Sequence, residues 1–530
     1  MKNEEGRNSV GEVGVQTGSP ASFVHRWLIF FAIALLALAI RLPQLGGRPM
    51  HTDESVNAFL TGKLLAGEGF YYDPQDRHGP GLFVLAEPLV KLLGTKSFSE
   101  LTETQLRLTP VIVGSATILL LGAGVELFGF TACIVAALLF ACAPLPVYYS
   151  RYFIQETLFV AATLGLILAG GRMLKTHSVP AAALTGGCAA LMLACKETAV
   201  IHFFALGVAL LAGRIGAPDA RPATADAGQK PAGPKTDIPI RKPIFIAAGV
   251  FIFTTALLFT WFGRNWQVFA ELCRAIPRFA ARAAGEGHQK PFGYYFHLLD
   301  PLLILSLVAA AGVYAAICDA FSHIRKPGLQ LVIYGVVVAL IYSAIPYKTP
   351  WLALNLWLPL ALLCGFGVAA LWDLIKNPTG RWGVAIAGGA LLATLSAQTK
   401  ELVFDKPADE KNPYAYAHTS EDLLNLPLRL GELARQHNLS NPRIAVVAAD
   451  AWPLPWYLRS FSQVGYWQPD QVAGEANFFI TTTDVSGKLA ERLKDYRPDF
   501  FGARPNVLLV LWSPPRTNAT AETPPPKPQP

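Results

Sequence analysis

The sequence predicts an all-α polytopic membrane domain followed by a small α/β domain outside the membrane. Three observations carry this. Of 530 residues, 52% are hydrophobic and only 15% charged, whereas a soluble domain carries about 25% charge. Apolar runs about 20 residues long, the length a bilayer crossing needs, recur through the first three-quarters of the chain. Beyond residue 400 the long runs stop, and short β patterns alternate with helical ones.

Residues 1–26 are polar and read as a disordered cytoplasmic arm. The first apolar run, 27–40, lacks the small-residue cleavage site of a signal peptide and reads as a span. Eleven spans are expected, at 27–45, 107–125, 129–147, 152–170, 179–195, 199–213, 243–262, 296–318, 329–346, 351–372 and 382–398. With the N-terminus cytoplasmic, the basic loops at 172–175, 214–242, 325–326 and 376–381 all fall inside, as the positive-inside bias requires. An odd number of spans then puts the C-terminus outside. Residues 27–399 form the membrane domain, with 214–242 as a flexible cytoplasmic linker. A soluble extracytoplasmic domain covers 400–513, and a disordered Pro-rich tail covers 514–530. In the soluble domain a helix is expected over 420–437, strands near 443–448, 477–482 and 507–512, and a further helix at 486–494. The net charge of +7 comes without a basic stripe interleaved with aromatics, so no nucleic acid is implied. The seven cysteines include no CxxC pair and read as packing residues rather than a disulfide framework or zinc site.

This topology puts the unusual polar motifs on the outer face, while the middles of the spans carry essentially no ionisable residue. Ion-coupled carriers keep such charges where they work, so their absence argues against that class. In the first outer loop, Asp53 and Glu54 open a short surface helix. Val56, Phe59, Leu60 and Leu64 give its apolar offsets and Gly67 stops it. Helical neighbours at i and i+1 point about 100° apart, so only one of the two carboxylates can face a shared cleft. A second helix over 82–93 follows Pro80 and ends at Gly94. The two helices frame a cleft with Asp53 and Asp76 at its rim. The basic loop 264–290, with Arg264, Arg274, Arg278, Arg282 and Lys290, suits a lipid phosphate or anionic headgroups.

Taken in order, His51-Thr-Asp-Glu-Ser55, Arg77-His-Gly-Pro-Gly81, Ser150-Arg151, Lys196-Glu197, Tyr347-Lys-Thr-Pro-Trp351 and Tyr416-Ala-His-Thr-Ser420 form a recognisable set. Over roughly residues 27–515 the chain resembles the GT-C superfamily of polyprenyl-phosphate-sugar transferases, which includes protein O-mannosyltransferases and the lipid A aminoarabinose transferase. It looks most like a prokaryotic group of flippase activity-associated proteins. Order and common face carry the resemblance rather than one motif; Glu156 stands where relatives often have Asp. The resemblance implies a glycosyltransferase at the outer face of the cytoplasmic membrane. Its donor would be a polyprenyl-phosphate-linked sugar, its acceptor a glycan, lipid or protein. The flippase association leaves a second class open, a non-catalytic partner of a lipid-linked oligosaccharide flippase, or the flippase itself.

For such chemistry the acceptor hydroxyl needs a general base and the departing phosphate needs cations. Asp53 is the expected base and Glu54 the second choice; read alone, Asp53 suits an N-cap equally well. Arg151, Lys196 and Lys348, each at the outer end of a span, are the expected cations, with snorkelling to lipid headgroups as the plain alternative. The resemblance puts Lys196 and Arg151 on the donor phosphate. His51, Asp76, His78, Glu156, Glu197, Tyr347 and Trp351 complete the expected substrate-binding set. His51, Asp53, Asp76 and His78 would also suit a hard divalent metal. No spacing demands one, and no cofactor is expected.

Overall fold

The computed structural model describes residues 20–75, 77–214, 240–283, 288–299, 303–322, 327–471, 473–489 and 491–515. The 1–19 part of the expected N-terminal arm, most of the 214–242 linker, the 325–326 loop, Asp76 and most of the tail lie outside these residues. In chain order the main helices are α1 (Pro20–Arg41), α2 (Thr52–Leu65), α3 (Gly81–Leu92), α4 (Glu103–Ala123), α5 (Phe130–Cys142) and α6 (Glu156–Thr176). There follow α7 (Val179–Cys195), α8 (Ala199–Arg214), α9 (Arg241–Phe259), α10 (Val268–Ala283) and α11 (Ile304–Ser322). The last are α12 (Pro327–Ala344), α13 (Ala353–Leu374), α14 (Pro378–Thr399) and α15 (Asn425–Gln436). Setting aside α2, α3, α10 and α15, the others stand where the apolar runs predict spans. Among the described residues, six are long and apolar enough to cross a membrane, and α5, α7, α8 and α11 are shorter apolar helices packed against them. This is a multi-pass membrane protein. Where α11 crosses α13 the backbones touch: a Cβ on Gly312 would stand 1.9 Å from the Leu363 carbonyl oxygen. Small residues at such crossings let membrane helices approach this closely.

After α14 the chain enters a domain built on a five-stranded sheet. Its strands are β1 (Ile444–Val447), β2 (Val464–Trp467), β3 (Phe478–Thr482), β4 (Arg497–Arg504) and β5 (Val507–Ser513), in the order β2-β1-β3-β5-β4. β1 runs parallel to both neighbours, and β5 antiparallel to both of its own. α15 packs Leu426, Leu430 and Leu433 on this sheet. Two edge strands escape the sequence pattern. β2 has four residues including a Gly, and β4 carries Pro498 with Arg497, Asp499 and Arg504, features an edge strand tolerates. The expected helix at 486–494 is instead a single turn, Thr483–Ser486, and a 3-10 turn, Gly487–Leu489. The basic segment 264–290, expected as a loop, contains α10. Its Val268, Leu272, Ala275 and Phe279 fall at helical spacing, and the first three pack with Leu60 and Leu64 of α2.

The surface helix α2 is held by a buried ion network. Glu54 is fully buried. Arg107 reaches its two oxygens through Nε and NH2, each at 2.8 Å, and Arg48 NH2 lies 3.3 Å from both. The backbone amides of Phe153 (2.9 Å) and His51 (3.2 Å) also donate to it. Burial pushes the Glu54 carboxyl pKa up, but the two guanidiniums outweigh this and hold it well below the ordinary carboxylate range. Every lone pair of Glu54 is thus engaged, and it is a structural anion with no capacity left to take a proton from a substrate. Removing one partner of such a pair strands buried charge, at about 3–5 kcal/mol. Glu54→Ala should therefore lower the thermal unfolding temperature in detergent sharply, whereas Asp53→Asn should leave it near wild type.

Candidate functional site

α2 begins at Thr52 because His51 caps it: the Asp53 amide donates to His51 Nδ1 at 3.0 Å, and the Glu54 carboxylate in turn accepts from the His51 amide. That reciprocal box fixes the roll of the first turn. Glu54 points into the protein, and Asp53, about 100° round the helix, points to a cavity. The Asp53 carboxylate is half-buried and has no hydrogen-bond or ion-pair partner among the described residues.

The cavity has a volume of about 480 Å³. Its wall takes Asp53 and Asn57 from α2, and Arg77 and His78 from the segment before α3. Glu156 comes from the start of α6, and Lys196 and Glu197 from the turn between α7 and α8. Tyr347 and Trp351 approach from the segment between α12 and α13, and Ala275 and Phe279 from α10. Lys196 and Glu156 form a buried ion pair on this wall. Glu197 is held by the Tyr72 hydroxyl at 2.7 Å and by His78 Nδ1 at 2.8 Å. Burial pushes its carboxyl pKa up, but His78 and Tyr72 outweigh that and hold it at about 2.

Of the expected site residues, Asp53, His78, Glu156, Lys196, Glu197, Tyr347 and Trp351 therefore meet on one surface. The three cations expected to converge do not. Arg151 turns away and donates to the carbonyls of Arg41 (2.7 Å), Pro43 (2.5 Å) and Gln44 (3.2 Å), closing the C-terminal end of α1. Lys348 Nζ donates to the carbonyls of Ile345 (2.5 Å), just past α12, and Lys290 (3.2 Å). Only Lys196 of the three lines the cavity. His51 is buried in its capping role, and Glu54 in the ion network. Among the described residues no three His, Cys, Asp or Glu side chains gather closely enough to hold a metal ion.

Arg77 and Asn57 reach the wall without having been singled out. Asn57 lies four residues after Asp53 on the same helical face, a spacing that would have found it. Arg77 stands inside a motif already quoted, beside the residue that was chosen.

The same architecture occurs in solved structures of other proteins. ArnT from Cupriavidus metallidurans bound to undecaprenyl phosphate superposes with a TM-score of 0.59 at 15% identity, covering 93% of this chain and 98% of that one. AglB, the oligosaccharyltransferase of Archaeoglobus fulgidus, in complex with an inhibitory peptide and a dolichol-phosphate, gives 0.54 at 13% identity, over 95% of this chain and 76% of that one. The chain has the GT-C fold. A family model described as dolichyl-phosphate-mannose-protein mannosyltransferase matches residues 85–218, which include Arg151, Glu156, Lys196 and Glu197. No curated protein matches the sequence.

The Glu197 contacts set an acid limit. A carboxyl held at about 2 in the folded state and near 4.3 when unfolded stabilises the protein above the unfolded value. That stabilisation is lost as pH falls from about 4.5 towards 2. Glu197→Gln should lower stability at neutral pH and flatten the stability–pH curve between about 4.5 and 2, so that the variant and the wild type converge at the acid end, as read by thermal unfolding across a pH series.

Proposed function

We propose that the chain is a membrane glycosyltransferase that moves a hexosyl or pentosyl group from a polyprenyl-phosphate donor to a hydroxyl of a glycan, lipid or protein acceptor. It would act at the outer face of the cytoplasmic membrane, with the N-terminus cytoplasmic and the sheet domain extracytoplasmic. The observation that carries this reading is the unpartnered Asp53 carboxylate on one cavity wall with the Lys196 ammonium. The GT-C fold and the polyprenyl phosphates held by ArnT and AglB support it.

In this mechanism the acceptor hydroxyl gives its proton to an Asp53 carboxylate oxygen as its own oxygen bonds the anomeric carbon of the sugar. The bond from that carbon to the donor phosphate breaks, and the phosphate leaves with the electron pair. A phosphate is a good leaving group, so it needs charge stabilisation more than protonation. Lys196, with Arg77 on the same wall, supplies positive charge in a poorly hydrated place. Asn57, one turn from Asp53 and itself fixed by a bond to the Phe153 carbonyl at 2.9 Å, is placed to orient the acceptor.

A flippase would call for a passage along the helices. The cavity instead gathers residues from helix ends and from the loops that join them on one side of the bundle, which favours transfer chemistry.

With purified protein and a panel of polyprenyl-phosphate sugars, Asp53→Asn should lower turnover by about 10²–10⁴-fold, the usual contribution of a positioned base, while donor binding is retained. Wild-type turnover in Asp53→Asn would remove Asp53 from the mechanism. Lys196→Met should weaken donor binding, measured by competition with free polyprenyl phosphate, and should do so more than Lys348→Met.

A further inference from the structure

Three contacts from the far end of the chain meet at Met50 and His51, immediately ahead of the base. The Met50 amide donates to the Tyr457 hydroxyl at 2.8 Å. The Met50 carbonyl accepts from the Thr419 hydroxyl at 2.6 Å. His51 Nε2 lies 3.2 Å from the Tyr416 carbonyl. All three partners belong to the segment that follows the last span. Met50 is completely buried and His51 nearly so.

The choice of residue at 51 is informative. Helices are ordinarily capped by Ser, Thr, Asp or Asn, whose short side chains serve the first turn and nothing else. His51 caps with Nδ1, which accepts from the Asp53 amide. That leaves Nε2 carrying the proton and donating to Tyr416, so one neutral imidazole joins two elements 365 residues apart in sequence. The outer rim of the cavity is tied in as well: Tyr416 bonds His288 through its hydroxyl, and His288 lines the cavity.

We propose that the C-terminal extracytoplasmic domain is part of the catalytic apparatus, and that His51 is the positioning residue through which it sets Asp53. This rests on the assignment of Asp53 as the base. Tyr457 and Thr419 fix the backbone at Met50, Tyr416 holds the His51 ring, and His51 passes that position to the first turn of α2. The capping bond alone could be made by an asparagine; the bond to Tyr416 could not, because the shorter side chain does not reach.

The test uses the full-length protein. His51→Asn keeps the cap and loses the link, His51→Ala loses both, and Tyr457→Phe removes a second tie while leaving His51 intact. We expect kcat to fall about tenfold or more in His51→Asn, close to the fall in His51→Ala, with the KM for the polyprenyl-phosphate sugar little changed. Tyr457→Phe should lower kcat in the same sense. Wild-type kcat in His51→Asn would overturn the proposal and leave His51 a simple cap. Amide hydrogen exchange over 50–56 gives a readout independent of turnover. Faster exchange in both His51→Asn and Tyr457→Phe supports the proposal, and unchanged exchange in both overturns it. Absence of sugar transfer by the wild-type protein would instead count against the transferase reading, with the exchange result still deciding whether the domain fixes this segment.

Discussion

The Glu54 carboxylate between Arg107 and Arg48 is the interaction on which the site depends. A buried carboxylate is costly unless its lone pairs are filled, and here two guanidiniums and two backbone amides fill them. The donors come from α4, from the segment after α1, and from the loop before α6. The helix carrying Glu54 is therefore located relative to three parts of the bundle at once. Because the next side chain on a helix points about 100° away, fixing Glu54 inward aims Asp53 at the cavity. Asp53 is placed by its neighbour's saturation rather than by side-chain contacts of its own, which leaves its carboxylate unpartnered at the cavity.

The sequence showed that the two acidic residues must face different ways, but not which way each faces. Deciding that requires knowing that Arg107 and Arg48 lie on the inner side, and neither is near α2 in a pattern that sequence periodicity exposes. The cations were harder for a related reason. An arginine at the outer end of a span that binds phosphate and one that closes a helix end look alike in sequence. Arg151 proved to be the second kind, as did Lys348; Arg41 does the same for α5, donating to the Phe140 and Ala141 carbonyls at 2.6 and 3.3 Å. Helix C-termini leave carbonyls without partners, and inside a membrane protein no water replaces them. Many of the basic residues at span ends serve that need before any ligand.

The architecture was legible where the signal is long. Among the described residues eleven helices stand at the apolar runs, and both surface helices end near the glycines that predict their ends, Gly67 and Gly94, each at φ +87°. The short elements were not. β2 and β4 sit at the edges of the sheet, where one side of a strand needs no apolar pattern. α10 was obscured by its arginines and Pro277, although its buried stripe keeps helical spacing. The polar cavity residues brought in by separate loops, Arg77 and His78 against Lys196 and Glu197, are adjacent only because the α7–α8 turn folds against the segment before α3. A single sequence does not encode that pairing in any local form.

The Lys196–Glu156 pair bears on how an anion could enter. An ammonium has three N–H donors, and Glu156 takes one of them. A phosphate can therefore reach the remaining donors without the pair breaking. The charge is already desolvated before the ligand arrives, since Lys196 and Glu156 are both buried. Part of the cost of holding a cation at the membrane boundary is met by Glu156 in the resting protein. A carboxylate beside the cation also weakens its attraction for phosphate, which would suit the proposed reaction, where the phosphate has to leave after each transfer. On this view Glu156, in the first turn of α6, is there to moderate Lys196.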